Sequence, residues 1–240
     1  HLMMPNYRDD HDRFAHTAVA AAAEPGLELP PLARNRRLAV FGGTFDPVHC
    51  GHIALANFLI QTEKADEVMF VPALHPPHKD EEMVVSSEHR LAMLQLVIED
   101  NPAFSYSDIE LQRTDSKSYT IDTLSILGKI YPGDQLFFLM GMDCLSTLHT
   151  WHRADELANS SNFIIYPRPG VRMPYYAELL PYFGEHNSQK LLSSVLSGPD
   201  VPTWDISSTD LRNACRRGGD LSAYLPPRVW QYIQEHKLYQ

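Results

Sequence analysis

Several short runs of uninterrupted apolar residues, each followed by a stretch with helical spacing, constrain this chain more than any other feature. Leu38-Ala39-Val40-Phe41, Glu67-Val68-Met69-Phe70-Val71, Gln135-Leu136-Phe137-Phe138-Leu139-Met140 and Asn162-Phe163-Ile164-Ile165-Tyr166 are too short and too apolar for half-exposed strands. They read as strands buried on both faces. Between them the spacing predicts helices over 52–62, over 86–100 from a Ser86 cap, over 120–130 and over 143–158, with a further extended stretch over 104–111. Strands alternating with helices imply a parallel sheet covered on both sides, an α/β, Rossmann-like doubly wound architecture. From Ser207 to Gln240 the pattern changes to two or three short helices, punctuated by Gly218-Gly219 and Pro226-Pro227. This is a small C-terminal helical portion.

Residues 1–36 lack sustained periodicity and open on His1-Leu2-Met3, which resembles a cloning remnant. They are expected to form a disordered N-terminal extension, with one domain over 37–240. The 240 residues, 44% of them hydrophobic, suffice for one core of that size. A formal net charge of -10 argues against a protein that coats nucleic acid, because backbone affinity needs clustered Lys and Arg. Phosphate binding, if any, must be local. The three cysteines, Cys50, Cys144 and Cys215, have no disulfide or zinc spacing, which suits a reducing compartment. No run reaches the roughly 18 to 20 apolar residues of a membrane span. The expectation is a cytoplasmic protein that binds neither nucleic acid nor membrane; a homo-oligomer is compatible with it.

In a doubly wound sheet, ligands sit outside the carboxyl ends of the strands, so the residues after Phe41, Val71, Met140 and Tyr166 come first. After Phe41 comes Gly42-Gly43-Thr44-Phe45-Asp46-Pro47-Val48-His49-Cys50-Gly51-His52. Two glycines allow a phosphate to approach the backbone, and the following helix start offers unpaired amides and a positive dipole end. His49 and His52, separated by Cys50-Gly51, could both donate to oxygens that gain charge during a transfer reaction, with Gly51 leaving space between the rings. Read singly, the glycines fit a bare turn and the histidines fit a polar surface or, with Asp46, a metal site.

A second constellation is Ile206-Ser207-Ser208-Thr209-Asp210-Leu211-Arg212. Hydroxyls and amides at a helix start, with a guanidinium one turn in, suit a polyphosphate. They also suit an ordinary cap with an arginine paired to Asp210 or to solvent.

Together the two segments resemble the HxGH nucleotidyltransferase superfamily, whose first motif is close to GGxFDPxHxGH and whose second is ISSTxxR. Gly141-Met142-Asp143, continuing through Leu145 and Leu148 to Trp151-His152, is similar to a GxDxLxxLxxW stretch of the nicotinate-nucleotide adenylyltransferases. Pro76-Pro77-His78-Lys79, Ser118-Tyr119-Thr120 and Arg168 match further parts of that family. The resemblance covers residues 37 to 240. It implies adenylyl transfer from ATP to nicotinate mononucleotide, with magnesium arriving on the ATP and no dedicated metal site.

His49, His52 and Arg212 would then be catalytic. Gly42, Gly43, Thr44, Phe45, Lys79, Gly141, Asp143, Arg168, Ile206, Ser207, Ser208 and Thr209 would bind ATP. Tyr119, Thr120, Trp151 and His152 would bind the acceptor: Trp151 has an indole face for the nicotinate ring, and Thr120 with the backbone near His152 can donate to its carboxylate. Without the resemblance, Trp151 is equally a half-buried packing aromatic, Asp143 a helix cap and Lys79 a solvated loop residue. Three rivals are an adenylyltransferase for another acceptor, a nucleotide sensor without catalysis, and a metal hydrolase on His49 and His52. Phosphopantetheine enzymes usually carry Thr where His49 stands. Both histidines and Arg212 are present, which speaks against the sensor, and Gly51 fits a phosphate loop better than a metal site.

Overall fold

A computed structural model describes residues 35–74, 85–113 and 119–240. Five strands form one sheet: β1 (Arg37–Gly43), β2 (Glu67–Pro72), β3 (Phe104–Tyr106), β4 (Gln135–Gly141) and β5 (Asn162–Tyr166). Their order is β3-β2-β1-β4-β5 and every pairing is parallel. Successive side chains of β1 serve opposite layers. Ala39 and Phe41 face one core with Leu55, Leu59, Leu94, Leu211, Val229 and Ile233, while Leu38 and Val40 face another with Leu127 and Tyr131. The strand lacks polar/apolar alternation because neither face meets water.

The helices that supply these layers are α1 (Cys50–Gln61), α2 (Ser87–Ile98), α3 (Thr120–Ile130), α4 (Met142–Thr147), α5 (Ala154–Ser160), α6 (Tyr176–Ser193), α7 (Ser208–Arg216) and α8 (Pro227–Glu235). Ser86 caps α2 as its sequence position predicts, its hydroxyl accepting from the His89 amide. Among the described residues no helix is long and apolar enough to cross a membrane.

The structure departs from the sequence reading in four places. The helix expected over 143–158 is broken into α4, a 3-10 turn at Leu148–Thr150 and α5, with Arg153 left-handed at φ 54. Apolar residues recur at every third position across the break, through Leu145, Leu148, Trp151, Ala154 and Leu157, and that recurrence hides it. The extended stretch over 104–111 ends at Tyr106, where the Ser107 hydroxyl accepts from the Ile109 amide and starts a turn. The sequence reading assigns nothing to α6, a helix containing Pro181 and kinked at Gly184, where φ is 77. Arg36, placed in the extension, pairs with Glu67 at 3.0 Å and donates its amide to Asp134. Residues 1–34 lie outside the described residues.

The chain leaves β1 toward β2 on one side, and later returns to β4 on the other. The carboxyl ends of β1 and β4 are thus the switch point of the sheet, where such folds open a crevice. Gly42 and Gly43 end one strand and Gly141 the other.

Candidate active site

His49 is the N-cap of α1, and its Nδ1 accepts from the Gly51 amide at 3.0 Å. His52 returns the pattern: its Nδ1 accepts from the His49 amide at 3.0 Å. The two rings stack at 3.7 Å between centroids. An Nδ1 that accepts an amide proton carries a lone pair, so each neutral ring holds its proton on Nε2 and can only donate there. Burial, with Arg168 nearby, pushes the His49 pKa down to about 4, and burial, His49 and Arg168 hold His52 well below its ordinary value. Both rings are therefore neutral donors at neutral pH. The first helical amides are not all free, as the sequence had suggested, since the Cys50 amide donates to the Tyr224 carbonyl and Gly51's is taken by His49.

Gly51 also differs from its expected role. A Cβ there would lie 2.5 Å from Trp204 Cδ2 and 2.8 Å from His49 Cε1. The space beside the histidines is filled by an indole that sits edge-on to both rings, at 6.0 and 6.3 Å, and stacks on Tyr166 at 5.7 Å. His49 is consequently only 2% exposed.

The carbonyls of the loop are held from beneath. Arg90 donates to the Thr44 carbonyl at 3.0 Å and to Ala73 at 2.7 Å. Arg212 donates to the Asp46 carbonyl at 2.7 Å, and the Ser208 hydroxyl to that of Pro47 at 2.9 Å. With carbonyls drawn inward onto cations, the loop presents its other edge to the crevice. Phe45, at φ 50, buries its ring against Phe41, Phe70 and His52, so any contact of this residue with ATP would be through its backbone.

The second motif is likewise engaged. Ser207 caps α7 by accepting from the Asp210 amide at 3.1 Å, and Thr209 accepts from Arg212 at 3.2 Å. Ile206 packs on the main core. Arg212 is 4% exposed and meets neither Asp210 nor solvent, the alternatives open to it in the sequence. It is a strut under the loop. Its Nε has no hydrogen-bond partner among the described residues.

Arg168 forms a 3.9 Å ion pair with exposed Asp143, whose carboxylate sits where a Cβ on Gly141 would fall. Its guanidinium is half-exposed, and its charge reaches both motif histidines. Lys79 lies outside the described residues.

The acceptor residues do converge. A cavity of about 230 Å³ at the switch point is walled by Gly42, Gly43, Gly141, Thr120, Trp151 and Tyr166. A second, of about 310 Å³, shares Thr120 and Trp151 and adds Tyr119 and His152, whose rings stack at 3.8 Å. The break before α5 is what places Trp151 and His152 beside the start of α3. Trp151 also meets Phe138 edge-on at 5.9 Å, so it packs and lines the cavity at once. Sequence reasoning missed Arg90, Trp204 and Glu110. Glu110 lines the smaller cavity, accepts from Thr123 at 3.0 Å, and has its pKa raised by burial.

The profile of the cytidylyltransferase-like family matches residues 40–214. The chain is 37% identical over 205 residues to the nicotinate-nucleotide adenylyltransferase of Bacillus subtilis (strain 168), covering 85% of this chain and 99% of that one. It belongs to the nicotinate-nucleotide adenylyltransferase family. In solved structures the fold is matched by Plasmodium falciparum nicotinic acid mononucleotide adenylyltransferase, in complex with NaAD and, separately, with APC. Each shows a TM-score of 0.67 and 19% identity over 85% of this chain and 97% of the other. At that identity the likeness speaks to architecture alone, and the sheet and its switch point are common ground.

Proposed function

We propose that the protein transfers the adenylyl group of ATP to the phosphate of nicotinate mononucleotide, forming the dinucleotide and releasing pyrophosphate. One observation carries the reading: two neutral, Nε2-protonated imidazoles are locked at the start of α1, joined through Trp204 to Tyr166, which walls the cavity that also holds Thr120 and Trp151. The acceptor phosphate oxygen attacks the α-phosphorus of ATP in line, and the bond to the bridging oxygen of pyrophosphate breaks. No covalent enzyme intermediate is needed. The reaction asks for positioning and charge stabilisation, and the Nε2 protons of His49 and His52 supply fixed donors to the α-phosphate oxygens as charge builds. Arg168 is the half-exposed cation for the leaving phosphates, while Arg212, Arg90 and Ser208 hold the loop.

Magnesium enters as part of the substrate, MgATP, where it neutralises triphosphate charge. The ion would be held by phosphate oxygens and water. A cytoplasmic location accords with substrates of this kind.

Thr120 and the backbone near His152 would donate to the nicotinate carboxylate, and Trp151 would stack on the ring. Glu110 on the same wall accepts hydrogen bonds and by itself favours an amide, but one of its oxygens is taken by Thr123. A donor set facing an amide N–H₂ leaves polar groups unpaired at about 1 to 3 kcal/mol each, so nicotinate should be preferred at least tenfold, roughly 1.4 kcal/mol. Pyrophosphate release with each mononucleotide measures kcat/KM for both. Equal use would overturn the acceptor assignment, and no release with either would overturn the transferase reading.

A further inference from the structure

Asp46 lies in the first motif between Phe45 and Pro47, is fully buried, and sits three residues before His49. Its Oδ1 accepts a hydrogen bond from the hydroxyl of Tyr239, 193 positions away. Its Oδ2 has no hydrogen-bond partner among the described residues. Arg212 and Arg90 act on its charge, and Arg212 also binds its carbonyl. Burial raises the pKa of its carboxyl, and the Val85 backbone also hydrogen-bonds to it; a buried carboxylate is costly and persists where the surrounding contacts fix it.

The approach of Tyr239 is itself strained. Lys237 and Tyr239 are both left-handed, at φ 52 and 60, a region that costs a non-glycine residue about 1 to 2 kcal/mol. Between them Leu238 is buried, its amide donating to the Ile233 carbonyl and its own carbonyl accepting from Cys215. The chain after α8 is thus pinned on both sides of a double reversal whose result is to aim one hydroxyl at Asp46. Strain held at so specific a place points to a role beyond packing. Burial and the Asp46 charge hold the Tyr239 hydroxyl far above its ordinary pKa, so it remains a donor.

We infer that Tyr239 is a positioning residue for adenylyl transfer: through Asp46 it sets the phosphate loop, and with it His49, in the geometry the transition state needs. The inference rests on the adenylyltransferase reading of this same site. Tyr239 touches no substrate. Its ring packs against the main core, so Tyr239→Phe keeps the packing and removes only the hydroxyl. A suitable comparison is Tyr232 on α8, whose hydroxyl bonds His89 of α2 at 2.8 Å and anchors the same segment without touching the loop.

The experiment measures kcat, both KM values and Tm for wild type, Tyr239→Phe, Tyr232→Phe and Asp46→Asn. Tyr239→Phe should lower kcat about tenfold, equivalent to about 1.4 kcal/mol, and leave the KM for nicotinate mononucleotide within about twofold. Tyr232→Phe should lower Tm and leave kcat within about twofold. Asp46→Asn replaces the carboxylate with a weaker, neutral acceptor for the Tyr239 hydroxyl and should lower kcat about threefold or more, with the KM for nicotinate mononucleotide within about twofold. Equal kcat in wild type and Tyr239→Phe, or equal kcat losses in the two tyrosine variants, would make Tyr239 an ordinary anchor and overturn the inference. Should Tyr239→Phe fail to fold, Asp46→Asn decides: wild-type kcat in that variant would show that the bond from Tyr239 sets nothing the reaction needs and would overturn the inference. A wild-type chain that forms no dinucleotide would sink the adenylyltransferase reading instead, and this inference with it.

Discussion

Adding one methyl group at Gly51 tests the arrangement of the site most directly. A Cβ there would sit 2.5 Å from Trp204 Cδ2, 2.7 Å from Trp204 Cγ and 2.8 Å from His49 Cε1. Carbon atoms rest at about 3.5 to 4.0 Å, so neighbours on two sides must each retreat by about 1 Å. Trp204 cannot retreat freely, since it is stacked on Tyr166, and His49 cannot without loosening its bond to the Gly51 amide. Overpacking of this kind costs about 1 to 3 kcal/mol, which in a domain of this size lowers Tm by about 2 to 4 °C for each kcal/mol. The kinetic effect should be larger, because misplacing a group at the reacting centre by about 1 Å can cost about 100-fold. Gly51→Ala should therefore lose about two orders of magnitude in kcat while remaining folded, read by pyrophosphate release and calorimetry. In a Trp204→Ala background the same substitution should cost much less Tm, because the nearest contact is gone. Wild-type kcat and Tm for Gly51→Ala would refute the placement of the indole and of His49 together.

Removing the second histidine, His52→Ala, should lower kcat by about 100-fold or more with little change in the KM for ATP, because its donor is used chiefly in the transition state; near-full turnover would remove it from the mechanism. The His49 pKa of about 4 predicts a stability that depends on pH. An unfolded histidine takes up its proton near pH 6.5, before the folded one does, so stability is full above that value and falls as pH drops toward 4. Between pH 7 and 5 the loss is about 2 kcal/mol by urea unfolding, and a His49→Asn variant with the same pH slope would place its cause elsewhere.

The parts of this molecule that were legible in the sequence are those whose cause is local. Val40 and Phe41 look apolar because both faces of β1 are covered, and Gly42-Gly43 ends the strand where the crevice begins, so fold, strand end and anion loop stand in one stretch of chain. The break at Arg153 was invisible because apolar residues recur at every third position across it, through Leu148, Trp151, Ala154 and Leu157, while α6 escaped because Pro181 and Gly184 interrupt its pattern. Within the candidate site, the placement of His49 and His52 at the start of the helix after β1 was legible. Their tautomer was not, since it depends on which amide each Nδ1 meets once the helix has formed.

A further asymmetry separates residues that face the reaction from those that hold them. Thr120, Trp151 and His152 line open space, and their chemistry can be read from residue type alone. Arg90, Arg212, Ser208 and Tyr239 act on Thr44, Asp46 and Pro47 from elsewhere in the chain, and an arginine on an apolar helix face or a tyrosine near Leu238 carries no local mark of that task. The first-motif loop needs them because its carbonyls lie outside regular structure. A helix or sheet would satisfy those carbonyls internally; a loop satisfies them with cations and hydroxyls borrowed across the fold. That requirement explains why Arg212 is buried and bound to a backbone carbonyl: in the proposed reaction, drawing the Asp46 carbonyl inward would leave the outer edge of the loop to the phosphates, with this arginine supporting it from behind.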